Sequence, residues 1–267
     1  MPHFICVTCG VQHAESSEPP AACAVCEDER QYVPDAGQAW TTLEELRRDH
    51  RADVRDEEPG LTGIGCEPEF AIGQRGLLVE GVMWDCTPLL DDELVREVEA
   101  RGGLGAIAIS HPHFHSSIVE WSRAFGGAPV YVHSADRDWV QRPDSCLRFW
   151  EGETLELPGG LTAVRCGGHF AGASVLHWPA GADGRGALLT GDTIQVVPDR
   201  RYVSFMYSYP NMIPLGAGAI RRIAAAVEPF EFDRIYGAWW GRVVRSDAKA
   251  AVRRSAERYL TAIAEPS

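Results

Sequence analysis

The chain has 267 residues, enough for one large core with a small appendage, and its 45% apolar and 24% charged content is ordinary for a globular protein in water. A formal net charge of −13 argues against nucleic acid or an anionic membrane as the main partner, and no stretch approaches the roughly 20 apolar residues of a membrane span. Met1-Pro2-His3-Phe4-Ile5-Cys6 lacks the charged and apolar blocks of a secretory leader, so the cytoplasm is the expected compartment.

Residues 1–34 read as a small metal module. Cys6-Val7-Thr8-Cys9-Gly10 and Cys23-Ala24-Val25-Cys26 are two Cys-x-x-Cys pairs, which in a reducing compartment favour zinc over disulfides. Four thiolates make a closed tetrahedral shell, and in a segment too short for its own core the ion supplies much of the folding energy. The spacing resembles zinc-ribbon or rubredoxin-like knuckles; iron is the alternative ion. Cys66, Cys86, Cys146 and Cys166 are scattered and carry no such pattern. Residues 35–65 are expected to be a polar connector holding one short helix, capped by Thr41 or Thr42 and stopped by Asp56-Glu57-Glu58-Pro59-Gly60.

Residues 66–267 change to short strands and helices, the texture of a layered α/β domain. Strands are expected at Phe70-Ala71-Ile72, residues 76–80, 82–85, 106–109 and 129–133, with helices over Asp91–Arg101 and Ser116–Phe125. The second half repeats this texture: strands at residues 154–157, 161–164, 174–178, 187–190 and 232–236, helices from Ala217 to Val227 and from Ser246 onward. Two stacked sheets with helices outside follow from it.

The chemistry concentrates in Ser110-His111-Pro112-His113-Phe114-His115, directly after the buried strand Ala106–Ile109. Neutral imidazole is the commonest transition-metal nitrogen donor, and in an extended segment residues two apart face one side. His111 and His113 can therefore converge on one ion. Further along stand Gly167-Gly168-His169 and Thr190-Gly191-Asp192-Thr193, both glycine turns at strand ends.

Asp85 after a strand, His111-x-His113, Gly168-His169 and the Thr190–Thr193 turn, in that order, resemble the metallo-β-lactamase-like superfamily over roughly residues 66–240. The resemblance implies an αββα sandwich with metal at one edge. It implies His111, His113 and His169 as ligands of a first ion, Asp192 as the carboxylate that bridges two ions or completes the shell of one, and Asp85 as an aspartate that orients ligands. The usual motif is His-x-His-x-Asp-His, whereas His115 and Ser116 stand at its last two positions here. The late segment Ile235–Gly241 offers Trp239 and Trp240 where the family presents another histidine. Three ligands of a second ion are thus altered or missing, and a mononuclear site of zinc or iron is expected. His115 is open to three roles: direct ligand, proton shuttle, or a ring near Trp121. His133, His177 and Cys166 are expected to be structural.

The implied activity is hydrolysis of a small-molecule ester, thioester, lactone or related acyl substrate through a metal-bound hydroxide, with Asp192 and His115 as catalytic candidates. One alternative is a non-haem iron dioxygenase of the persulfide-dioxygenase type, since histidines plus a carboxylate also suit Fe(II). Another is a non-catalytic metal-binding scaffold. Tyr207, Trp239 and Trp240 are the substrate-wall candidates, with Arg200, Arg201 and Arg242 as partners for an anionic group. The Cys module is open to roles in homodimer formation, in covering the site, or in partner contact.

Overall fold

The computed structural model describes residues 1–264. Two sheets lie at its centre. The first has seven strands in the order Leu147–Trp150, Val130–His133, Ala106–Ala108, Val82–Trp84, Gly76–Val79, Leu61–Glu67 and Arg51–Glu58. The second has six, in the order Thr154–Leu157, Leu161–Arg165, Ser174–Trp178, Ala187–Leu189, Arg234–Tyr236 and Val243–Val244.

Alternation along these strands divides their side chains between two apolar layers. Leu77, Val79, Val82, Trp84, Ala106 and Ala108 meet Leu161, Ala163, Leu176, Leu189 and Tyr236 between the sheets. Leu78, Met83, Ile107 and Val130 point the other way, against Leu94 and Val98 of the helix Asp92–Ala100 and Ile118 and Trp121 of the helix Ile118–Ala124. Val164, Val175, Leu188 and Ile235 likewise face Ile220, Ile223 and Val252 on the helices Ala217–Val227 and Ala248–Ala264. Both faces of each sheet are covered, which is why the central strands read as unbroken apolar runs. The result is the expected αββα sandwich.

Two expectations change. Residues 35–65 are not a linker. Trp40–Thr42 pairs with His3–Cys6 in the module's sheet, Arg51–Glu58 is the edge strand of the large sheet, and Leu61–Glu67 pairs beside it. The edge strand, Arg51-Ala-Asp-Val-Arg-Asp-Glu-Glu, is rich in charge because it borders water, which hides it from an apolar pattern. Phe70-Ala71-Ile72 is a turn, with Ala71 at a positive φ and the Gly73 amide donating to the Phe70 carbonyl. The short helix Leu43–Asp49 is present, and Thr42 is its cap: the Thr42 hydroxyl accepts from the Glu45 amide and the Glu45 carboxylate accepts from the Thr42 amide, but the helix ends at Asp49 and not at Asp56–Gly60, whose first three residues belong to the edge strand.

Trp240 ties the two sheets together at one end. Its indole lies on Gly63 and Gly65, stacked between the guanidinium groups of Arg55 and Arg75 at 4.3 and 5.0 Å. Arg75 is buried, paired with Glu57, and donates to the Gly237 carbonyl, while its amide donates to the Ala238 carbonyl. A Cβ at Gly63 would meet the indole at 2.6 Å. Gly63→Ala is therefore expected to cost about 1–3 kcal/mol in urea unfolding; an unchanged midpoint would mean that the indole is not held there.

Candidate metal centre

The strand Ala106–Ala108 delivers the histidine segment to the sheet edge, and Asp85 holds its start. The Asp85 carboxylate accepts from the Ser110 amide at 2.7 Å, and the Ser110 hydroxyl bonds Nδ1 of His111 at 2.8 Å. His111 is extended, but Pro112–Phe114 is a 3₁₀ turn, so convergence does not arise from strand alternation as the sequence suggested. Proline at the first position favours that turn because its φ is preset and it needs no amide partner. The turn brings the His111 and His113 rings to 5.1 Å, and His169 joins them at 4.9 and 5.1 Å.

His169 arrives on the turn after Leu161–Arg165, and Asp192 on the turn after Ala187–Leu189. Gly191 has a φ of 51°, and any Cβ there would meet the Ser110 hydroxyl at 2.7 Å, so only glycine lets the two turns touch. The Thr190 hydroxyl donates to the Ile194 carbonyl and closes the Asp192 turn.

The side-chain atoms form a compact set. His169 Nε2 lies 3.3 Å from His113 Nδ1, and Asp192 Oδ2 lies 3.5 Å from His111 Nε2 and 3.9 Å from His169 Nε2. A tetrahedral shell with bonds of about 2.0–2.2 Å has edges of roughly 3.3–3.6 Å, so the 3.3 and 3.5 Å separations match one ion and the 3.9 Å edge is a few tenths of an ångström wider. His111 Nε2 and Asp192 Oδ1 are buried without a hydrogen-bond partner, an arrangement that is costly unless something else answers it. His169 Nδ1 donates to the Met206 carbonyl at 3.2 Å, which leaves the Nε2 lone pair pointing inward. Burial pushes His111 down to about 3 and His169 to about 4, with His113 also well below its ordinary value, so all three rings are neutral donors at physiological pH. Burial also raises the Asp192 carboxyl to about 6 and the Asp85 carboxyl to about 8.

The residues where the resemblance would place ligands of a second ion are engaged elsewhere. The Ser116 hydroxyl donates to the Cys86 carbonyl and accepts from Gln74, and the Trp239 indole donates to the Ile72 carbonyl. His115 is buried but stands outside the converging group; it lines a cavity of about 10 Å³ with Val11, Gln12 and Arg142. Tyr207 stands beside Arg30 of the Cys module, and Trp240 is committed to the sheet contact with Arg55 and Arg75. Arg200 and Arg201 are occupied by the Gly241 carbonyl and Asp199. His133 and His177 bond the Gly152 and Glu231 carbonyls, and burial pushes the Cys166 thiol up to about 12. Ser110 is a participant that the motif did not single out; its only sequence signal is its place directly before His111.

Cys6, Cys9, Cys23 and Cys26 form a second set. The Sγ atoms of Cys6 and Cys26 are 3.6 Å apart and those of Cys9 and Cys23 are 3.7 Å apart. Zn–S bonds of about 2.3 Å give tetrahedral edges of about 3.8 Å, so the cluster has the dimensions of a single-ion site. The four thiols share hydrogen bonds that lower Cys23 and raise Cys9 and Cys26. Gln38 Nε2 donates to Cys6 Sγ at 3.0 Å.

No family model matches the sequence. The uncharacterized protein YmaE of Bacillus subtilis (strain 168) is 50% identical over 269 residues, which covers 98% of this chain and 97% of that protein. Among solved structures, the DIM-1 metallo-β-lactamase has a TM-score of 0.60 at 15% identity, over 79% of this chain and 98% of its own. The mono-zinc form of the metallo-β-lactamase FIM-1 from Pseudomonas aeruginosa has a TM-score of 0.58 at 13% identity, over 78% and 95%. A metallo-β-lactamase from Pontibacter korlensis has a TM-score of 0.55 at 16% identity, over 81% and 100%. The fold is therefore that of the metallo-β-lactamases.

The two ligand sets lie in separate segments, so they are expected to load independently at saturating metal. Elemental analysis of His113→Ala and of His169→Ala should each show one ion equivalent fewer than wild type, with the Cys-bound ion kept. Loss of both ions from either variant would contradict two separate sites.

Proposed function

Since this chain belongs to the same family as the Bacillus subtilis protein YmaE and has the metallo-β-lactamase fold, we propose that it is a metal-dependent hydrolase of an ester, thioester, lactone or related acyl substrate, working with one ion at His111, His113, His169 and Asp192. The observation that carries this reading is the set of inward-facing donor atoms with 3.3 Å and 3.5 Å edges and an unpartnered carboxylate oxygen among them. A divalent ion bound there supplies Lewis acidity, polarising an acyl carbonyl and lowering the pKa of water.

The chain's own residues do the rest. Asp192 faces the imidazoles with Oδ2, which leaves the buried Oδ1 free to orient water and take its proton. Asp85 acts on His111 through Ser110, and the Met206 carbonyl fixes the tautomer of His169, so neither ring can turn its donor atom away. Phe170 packs on all three histidine rings at 4.9–5.7 Å and lowers the polarity around them. Zinc is the ion this hydrolytic reading favours at both sites.

The iron-dependent dioxygenase reading is kept for one observation. Trp139 packs against the cysteine cluster and lies 5.4 Å from Phe170, so aromatic rings run without a break from the thiolates to the three imidazoles. Such a path suits a pair of redox-active ions. Zinc in both sites of the purified protein supports hydrolysis, and iron in both supports oxygenation.

Activity is tested on a panel of aryl esters, acyl thioesters and lactones with the metal-loaded protein. Asp192→Asn is expected to lower kcat/KM by about 10²-fold or more, the scale on which a positioned proton acceptor contributes. A metal-replete wild type that turns over no member of the panel would refute the hydrolase reading.

A further inference from the structure

The stretch directly after Cys26 reaches into the wall of the metal centre. Arg30 is bidentate to Asp28, with Nε at 2.5 Å and Nη2 at 2.9 Å, and its Nη1 donates to the carbonyl of His169 at 3.3 Å. Its guanidinium lies 3.8 Å from the ring centroid of Phe170, with Trp139 and Tyr207 at 5.0 and 5.2 Å. A half-buried cation in such a box is pinned in position as well as in charge. On its flank, Asn211 Nδ2 donates to the carbonyls of Glu29 and Gln31, both at 2.9 Å. Asn211 lies in the turn of the hairpin formed by Met206–Ser208 and Ile213–Pro214, and the Met206 carbonyl holds Nδ1 of His169. Residues 28–31 thus grip His169 twice, through its own carbonyl and through the loop that fixes its ring.

We propose that Arg30 is a positioning residue for the His111–His113–His169–Asp192 centre, and that the cysteine module works as a clamp whose residues 28–31 set the affinity and geometry of that centre. This rests on reading the four residues as a metal site. Charge alone would act with the opposite sign: a cation beside the centre repels a metal ion, so removing it should tighten binding. Positioning requires that its removal weaken binding, by the roughly 10–100-fold that loss of a ligand's supporting partner costs.

The test is cobalt(II) titration of the full chain against a competing chelator, following the visible bands. Arg30→Ala and, independently, Asn211→Ala should each weaken cobalt at the histidine–aspartate site by about 10-fold or more and shift its ligand-field bands. The thiolate-to-cobalt bands of the cysteine site should be unchanged. Arg30→Lys, which keeps the charge and loses the fork, should recover only part of the affinity. Unchanged or tighter binding in both alanine variants overturns the clamp, and Asn211→Ala decides the matter if Arg30→Ala does not fold. A wild type that takes up cobalt only at its cysteines overturns the metal-site reading, and the clamp with it; that outcome is distinct because it is seen before any substitution.

Discussion

Donor atoms buried with nothing to bond are the constraint from which the rest of this molecule follows. Three neutral imidazoles and a carboxylate have been taken out of water and turned toward one point, and His111 Nε2 and Asp192 Oδ1 find no partner in the protein. Such groups persist only where the surrounding structure forces them and something outside the chain repays their desolvation. The forcing comes from the sandwich. Each ligand rides on a turn at the end of a strand whose two faces are packed against different apolar layers, so its position is set by the core rather than by the loop. Function at a sheet edge is the usual consequence of that division between rigid scaffold and variable turn.

Around the donors stands a ring of supporting contacts that differ in kind. Asp85 and Ser110 act through hydrogen bonds on the histidine turn, Met206 through its carbonyl, and Phe170 through its face on the three rings. Gly191 contributes by having no side chain, since a methyl group there would displace Ser110. Ser116 and Trp239, where the resemblance would place ligands of a second ion, are bound to Cys86, Gln74 and Ile72.

What could be read from the chain alone was whatever is local. The Cys-x-x-Cys pairs, the His-x-His run and the glycine turns before His169 and Asp192 are short patterns whose chemistry depends on neighbours one to three residues away. The central strands were legible because both faces are apolar. The edge strand Arg51–Glu58 was not, because its residues answer to water and to ion pairs. The geometry of the histidine turn was misjudged in one respect: His111 and His113 alternate as in a strand, yet Pro112 bends the backbone and a 3₁₀ turn does the converging. Arg30 and Asn211 carried no signal at all, and Trp240 was read as a substrate wall rather than a sheet contact, since their roles are created by contacts 139, 182 and up to 185 residues away that only the completed fold supplies.

Those long separations have a bearing on how the protein comes into being. The cysteine module is synthesised before the segments on which it docks, and its four thiols lie within 21 residues of one another. The surface on which it docks is spread over Ser116, Gln141, His169 and Asn211, so it exists only after most of the chain has been synthesised. During translation Arg30 therefore has no seat until the turn that carries His169 has been made. Completion of the contacts around His169 is thereby placed late, after the bulk of the polypeptide has been made.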